Sequence, residues 1–241
     1  MKMILWMLAV LVGYFIKGVA GFGNTLVVTG AMAFSRTNAE ITPVELLLCV
    51  PTNLILAIAH RRAIDWKLTL PPLLMVLAGD ALGVFLLAKV DVTAMKLVFG
   101  VVLILLGIEA LWRERKQSGD KAAHPALLAV LGVAAGILCG LFSVGALLAA
   151  YFARVTKDDE TFKGCMCMIF AAENLFRVPA YALTGLLTSQ TLLNTAALLP
   201  FMAVGLFLGM KFSGKMNVRA MKMVVNVLLV FSGAALLMTN L

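Results

Sequence analysis

The sequence predicts an all-α, polytopic integral membrane protein built as two inverted repeats. Three observations lead there: apolar runs of membrane-spanning length, a duplicated stretch at a constant offset, and a lopsided distribution of loop cations. Apolar residues make up 62% of the 241 positions and charged residues 13%, against roughly 45–50% and about 25% in soluble domains. A chain of this composition lacks the polar surface to cover itself in water. Its apolar residues fall in runs of about 20, the length a helix needs to cross the hydrocarbon core. The clearest are 68–88, 92–112, 162–184, 192–210 and 218–239. None alternates with period two, so the spans are helices rather than barrel strands.

The longest polar stretch, "RERKQSGDKAAH" at 113–124, divides the chain nearly in half. On either side of it, "DVTAMKLVFGVVLILLG" (91–107) and "NVRAMKMVVNVLLVFSG" (217–233) share eight of seventeen residues at an offset of 126. At the same offset "GDALG" (79–83) falls on "GLFLG" (205–209). Both are G-x-x-x-G, a spacing that lets helix backbones approach closely. At slightly smaller offsets Gly13 falls on Gly132, Gly21 on Gly140 and Asn53 on Asn174. The predicted organisation is a first membrane repeat at 1–112, a cytoplasmic linker at 113–125 and a second membrane repeat at 126–241. Each repeat has one glycine-broken, re-entrant or hairpin segment and three transmembrane helices.

Charge decides how the repeats are oriented. If each broken segment enters the membrane and returns to its starting side, each half crosses an odd number of times and the halves are inverted. One face then collects thirteen loop cations, from Arg61, Arg62 and Lys67 to Arg219, and the other has only Lys2, Arg36 and Lys89. If the broken segment crossed once, each face would hold eight. The positive-inside rule selects the first scheme, with both termini outside the cytoplasm. The formal charge of +8 is therefore assigned to orientation. Nucleic acid is not an expected partner, because no basic patch is interleaved with aromatics. Lys2 and the apolar run behind it resemble a signal peptide, but no A-x-A-like site follows, and the segment has a counterpart in the second half. Cys49, Cys139, Cys165 and Cys167 form neither a disulfide framework nor a C-x-x-C motif.

The broken segment is "VGYFIKGVAGFGNTLVV", residues 12–28. Gly18, Gly21 and Gly23 let the chain turn, and Asn24-Thr25 is the expected start of a new half-helix. Backbone leaves a helix inside lipid only where it is buried in protein or lines a wet cavity. The free N–H groups of such a start, and its positive dipole end, suit an anion; Lys17 adds a full positive charge beside it. In the second half "GILCGLFSVGALLAAYF" (136–152) repeats the break, with Gly140, Ser143 and Gly145 and no lysine.

The paired "GVAGFGN" and "GILCGLFSVG" segments resemble the TauE/SafE sulfite exporter family of bacterial transporters, over nearly the whole chain. Asn24 and Ala146 stand where that motif commonly carries glycine. The resemblance implies movement of small sulfur-containing anions, such as sulfite or sulfoacetate, across the bacterial inner membrane. Inverted repeats place a transport site at their interface. The expected anion ligands are Lys17, Gly21, Gly23, Asn24, Thr25, Asn53, Gly140, Ser143, Gly145, Asn174 and Arg177.

Arg177 lies within an apolar run, with Glu173 four residues before it in the favourable order for an ion pair. A structural pair and a cavity-facing cation both fit that pattern. Asp80 sits mid-span between the glycines of its G-x-x-x-G; with Glu173 it is a candidate for coupling to H+ or Na+, and a packing role is the alternative. Glu45, His60 and Glu109 fall near span ends and are expected at the interface. The fourteen methionines are expected as core and lipid-facing filler rather than metal ligands. No cofactor is implied. No G-x-x-x-x-G-K-[ST] loop supports ATP hydrolysis, and no nucleophile–base set supports catalysis. The leading expectation is a secondary carrier that exports a small anion. A cation or soft-metal carrier and a non-transporting assembly partner are the alternatives, and a second copy of the chain is left open as a partner.

Overall fold

The computed structural model describes residues 2–33, 36–87 and 158–213, with isolated positions 100, 101, 104, 105, 108, 112, 148, 149, 152, 155, 156, 230, 234 and 237. The described stretches hold helices α1 (Lys2–Ala20), α2 (Asn24–Ala33), α3 (Asn38–Ala59), α4 (Trp66–Leu87), α5 (Asp159–Leu183) and α6 (Ser189–Phe212). A single 3-10 turn, Arg61–Ala63, joins α3 to α4. No strand occurs among the described residues. Met3–Ala20, Glu40–Ala59 and Ser189–Phe212 are long and apolar enough to cross a membrane. α4 and α5, with 22 and 25 residues, reach about 33 and 37 Å at 1.5 Å per residue. The described residues are those of an all-helical, polytopic membrane protein.

Helices α3 to α6 each start where the sequence supplies a cap. Thr37 and Glu40 form a capping box at α3: Glu40 Oε2 accepts from the Thr37 N–H at 3.0 Å. Asp65 Oδ1 accepts from the Lys67 N–H at 2.9 Å at the head of α4. Asp158 accepts from the Thr161 N–H at 2.8 Å at the head of α5, and this bond holds its carboxyl below the usual carboxylate range. Thr188 Oγ1 accepts from the Thr191 N–H at 3.1 Å before α6. α5 ends on Gly185, whose φ of 74° lets the Leu186 N–H reach back to the Tyr181 carbonyl at 3.0 Å.

Side chains are distributed inside out relative to a soluble domain. Leu70, Leu74, Leu82, Leu193 and Phe207 are exposed, while Lys17, Glu45, Asp80, Glu173 and Arg177 are buried. In the predicted span 92–112, Val101, Leu105, Ile108 and Trp112 recur at helical spacing and are all exposed. Such faces are costly in water and natural against lipid.

The chain forms two compact units. The first draws on Met1–Thr42, Val90–Gly119 and Ala196–Leu241, the second on Pro43–Lys89 and Asp120–Thr195. Each thus takes elements from both halves of the sequence.

In the first unit α1 and α2 form a hairpin. Gly13 of α1 faces α2 so closely that a Cβ there would fall 2.8 Å from Val28 Cγ2 and 3.0 Å from the Asn24 carbonyl oxygen. The hairpin's open end is marked by the Arg36 guanidinium, 5.7 Å from the Trp6 ring. The broken segment therefore turns and comes back within this hairpin. α6 runs parallel to α1: Gly205 lies against Leu11, Gly209 against Phe15 and Gly18, and Ser213 Oγ donates to the Val19 carbonyl at 3.1 Å. A Cβ at Gly18, Gly205 or Gly209 would strike backbone of the facing helix, so the G-x-x-x-G of α6 is a close-packing seam.

In the second unit α4 and α5 also run parallel. At one end Cys165 Sγ donates to the Asp65 carbonyl at 3.9 Å, and Gly164 abuts His60, Ala63 and Ile64. Further along, Arg177 meets Asp80. The inverted arrangement expected from the sequence would have these two helices cross in the same direction, and a single crossing by each broken segment would have them cross in opposite directions. The loop of Arg61 and Arg62 also shares an end with the head of α5, where His60 Nδ1 pairs with Glu160 Oε2 at 2.6 Å. The linker 113–125 and most of the duplicated stretches 91–107 and 217–233 lie outside the described residues.

Candidate functional site

The first unit builds the tip of its hairpin from the quoted glycines. α1 ends at Ala20, Gly21 and Gly23 take φ of 84° and 94°, and α2 begins at Asn24. Those angles are open to glycine and strained for other residues, so the turn can be this tight only with glycine at both places. The Gly21 N–H still reaches the Lys17 carbonyl at 2.7 Å, which closes α1. Lys17, Gly21, Gly23, Asn24 and Thr25 are all buried. Lys17 is 1% exposed, with its Nζ 5.5 Å from the Tyr14 ring. It does not snorkel outward. Asn24 Nδ2 donates to Thr25 Oγ1 at 3.3 Å.

The second unit holds a buried charge cluster. Arg177 of α5 is 2% exposed and Asp80 of α4 is 0% exposed. Arg177 Nη1 donates to Glu173 Oε1 at 3.1 Å and Nη2 to Tyr181 Oη at 2.7 Å, while Nε lies 3.5 Å from Asp80 Oδ1. Glu173, Arg177 and Tyr181 are spaced by four, so one face of α5 presents all three. Asp80 and Arg177 belong to different sequence repeats and meet inside one unit.

The repeat-related asparagines fall in the same unit. Asn53 and Asn174 are both buried, and Asn53 Oδ1 and Asn174 Nδ2 have no hydrogen-bond partner among the described residues. Asn53 follows Pro51, which has no N–H to give to the carbonyl four residues earlier. Thr52 Oγ1 turns back to the Cys49 carbonyl at 3.0 Å. Buried polar groups normally find partners, so Asn53 after the Pro51 turn of α3 and Asn174 of α5 each hold spare hydrogen-bonding capacity.

A family model described as sulfite exporter TauE/SafE matches residues 5–236. The chain belongs to the TauE/SafE sulfite exporter family. No curated protein and no solved structure matches it. Family membership makes the chain a membrane transporter of the class that exports sulfite and related sulfur compounds. The chemistry of the two buried clusters fits that class in sign: each holds a cation remote from water.

Among the expected ligands, Lys17, Gly21, Gly23, Asn24 and Thr25 lie in the first unit, and Asn53, Asp80, Glu173, Asn174 and Arg177 in the second. Gly140, Ser143 and Gly145 of the second break lie outside the described residues, so their grouping with Lys17 and Arg177 rests on sequence. Glu45 lies two turns into α3 and is 0% exposed, and its Oε1 accepts from Cys49 Sγ at 3.7 Å. Tyr181 was missed, although its spacing of four from Arg177 was a readable signal.

Proposed function

We propose that this TauE/SafE chain is a secondary transporter that exports small sulfur-containing anions, such as sulfite or an organosulfonate, across a bacterial inner membrane. The observation that carries the reading is Arg177, a guanidinium buried within α5 and 3.5 Å from Asp80 of the other sequence half. A cation in hydrocarbon is costly, and an anionic cargo gives a reason for retaining it. Arg177 and Asn174 are the proposed donors to the anion from α5, with Asn53 from α3. At the hairpin tip, Lys17 with the backbone of Gly21, Gly23, Asn24 and Thr25 offers a second set of donors, and Gly140, Ser143 and Gly145 the matching set in the second repeat. The anion is proposed to lie between the repeats, with both termini outside the cytoplasm. Parallel α4 and α5 and the cationic α3–α4 turn support that orientation.

The test is a thermal-shift screen of purified protein against sulfite, thiosulfate, sulfonates, carboxylates and divalent metals. A ligand that binds the folded state raises the apparent midpoint by mass action. Stabilisation by sulfite or a sulfonate, in preference to carboxylates, is the expected result. Stabilisation by metals alone contradicts the reading.

A further inference from the structure

The turn between α3 and α4 presents cations whose charge the described residues leave unanswered. Arg61, Arg62 and Lys67 are exposed and make no ion pair among the described residues. The acids around them are engaged elsewhere. Asp65 Oδ1 accepts from the N–H groups of Lys67 and Leu68 at 2.9 and 3.4 Å, and Asp158 caps α5 through Thr161. Glu160 Oε2 meets His60 Nδ1 at 2.6 Å. Arg36 makes the contrast, because its guanidinium is already paired with Glu40 at 2.8 Å.

The turn is also held in place. A Cβ on Gly164 of α5 would fall 3.1 Å from the His60 carbonyl oxygen, and Cys165 Sγ donates to the Asp65 carbonyl. Its backbone therefore presents the cations without a large ordering cost. From the turn, α4 runs on with Trp66, Leu70 and Leu74 exposed at 56%, 51% and 62%. Their spacing of four lines them along one face, and Thr69, Val76 and Asp80 are buried on the other. The apolar span of α3 ends at Ala59, directly before the turn. The cations and the indole thus stand at headgroup level, with the leucines in hydrocarbon beyond them.

We propose that the α3–α4 turn is a docking site for an anionic phospholipid. Arg61, Arg62 and Lys67 hold the headgroup phosphate, which suits the planar fork of arginine, and an acyl chain lies along Trp66, Leu70 and Leu74. A free anion would use the cations and leave the apolar stripe uncovered. A second copy on this face, about a two-fold axis, would set the same cations against each other. Only a molecule with an anionic head and an apolar tail answers both features. The site is independent of the cargo that the chain carries.

The probes are phosphatidylglycerol and phosphatidylcholine with the same acyl chains, titrated into the detergent-purified protein. Binding is read by native mass spectrometry and by the thermal midpoint. Phosphatidylglycerol should bind on the order of a hundredfold more tightly, from about fivefold for each surface cation. Arg61→Gln/Arg62→Gln/Lys67→Gln should erase that preference, and Arg36→Gln should keep it. A preference that survives the triple substitution overturns the site. Inorganic phosphate that raises the parent's midpoint as far as the lipid does, and not that of the triple variant, makes it a free-anion site instead. A dimer that Leu70→Gln/Leu74→Gln dissociates makes the stripe a contact between copies and overturns the lipid assignment. Should the triple variant fail to insert, the parent decides by its salt dependence. The preference should shrink as ionic strength rises from about 0.1 M to about 0.5 M, and a preference indifferent to salt overturns the proposal.

Discussion

Asp80 Oδ1 on α4 lies 3.5 Å from Arg177 Nε on α5, and the helices that carry the two residues run in the same direction. In the inverted arrangement expected from the sequence, an odd number of crossings separates the starts of the repeats, and α4 and α5 would then cross in the same direction. The direction of this pair is therefore the feature that a topology measurement can test.

The first prediction follows from that direction. In a cysteine-free background, Arg62→Cys and Gln190→Cys place single thiols at the exposed ends of α3 and α6. An impermeant maleimide applied to sealed vesicles should label them from opposite sides. Same-side labelling would match repeats of like orientation and contradict the parallel pairing.

The seam between α1 and α6 gives the second. A Cβ on Gly209 would meet Phe15 and Gly18 backbone, whereas one on Gly185 has open space around it and faces only its φ of 74°. Overpacking a tight contact costs about 1–3 kcal/mol, and a Cβ in the left-handed region roughly 1–2 kcal/mol. Gly209→Val should therefore lower the thermal midpoint in detergent more than Gly185→Ala. Equal effects would mean that the seam yields easily.

Parts of this structure were legible in the sequence for definite reasons. The hairpin turn could be read because a positive φ selects glycine, and Gly21 and Gly23 stand beside a residue fit to begin a helix. The α5 pair could be read because Glu173 and Arg177 are local, and a spacing of four is fixed by helix geometry. The contact between Asp80 and Arg177 could not. It depends on how α4 and α5 are rotated and staggered against one another, which composition does not encode.

Arg177 itself supplies the third prediction. Arg177→Gln leaves Glu173 and Asp80 without their cation, and breaking a buried pair from one side costs about 3–5 kcal/mol. Folded yield after size-exclusion should fall sharply. Glu173→Gln/Arg177→Gln should recover much of the yield, since fewer buried charges are orphaned. In that double variant, sulfite affinity by calorimetry should still be tenfold to a hundredfold weaker, corresponding to a charge-assisted bond of about 1.5–3 kcal/mol. A folded double variant that binds as tightly as the parent would leave Arg177 a purely structural residue.

Lys17 is the parallel case in the hairpin. Lys17→Met retains the apolar stem that packs near Tyr14 and removes only the charge. The midpoint without ligand should change little, and sulfite affinity should drop on the order of tenfold. An unchanged affinity would confine Lys17 to packing against Tyr14.

The most direct test is sulfite flux through the purified protein in liposomes, measured as counterflow of labelled sulfite into vesicles preloaded with unlabelled sulfite. Counterflow should be saturable, compete with small sulfonates, and be lost in the folded Glu173→Gln/Arg177→Gln protein. If protein verified as folded and inserted exchanges neither sulfite nor a sulfonate above protein-free liposomes, sulfur-anion transport by this chain is contradicted.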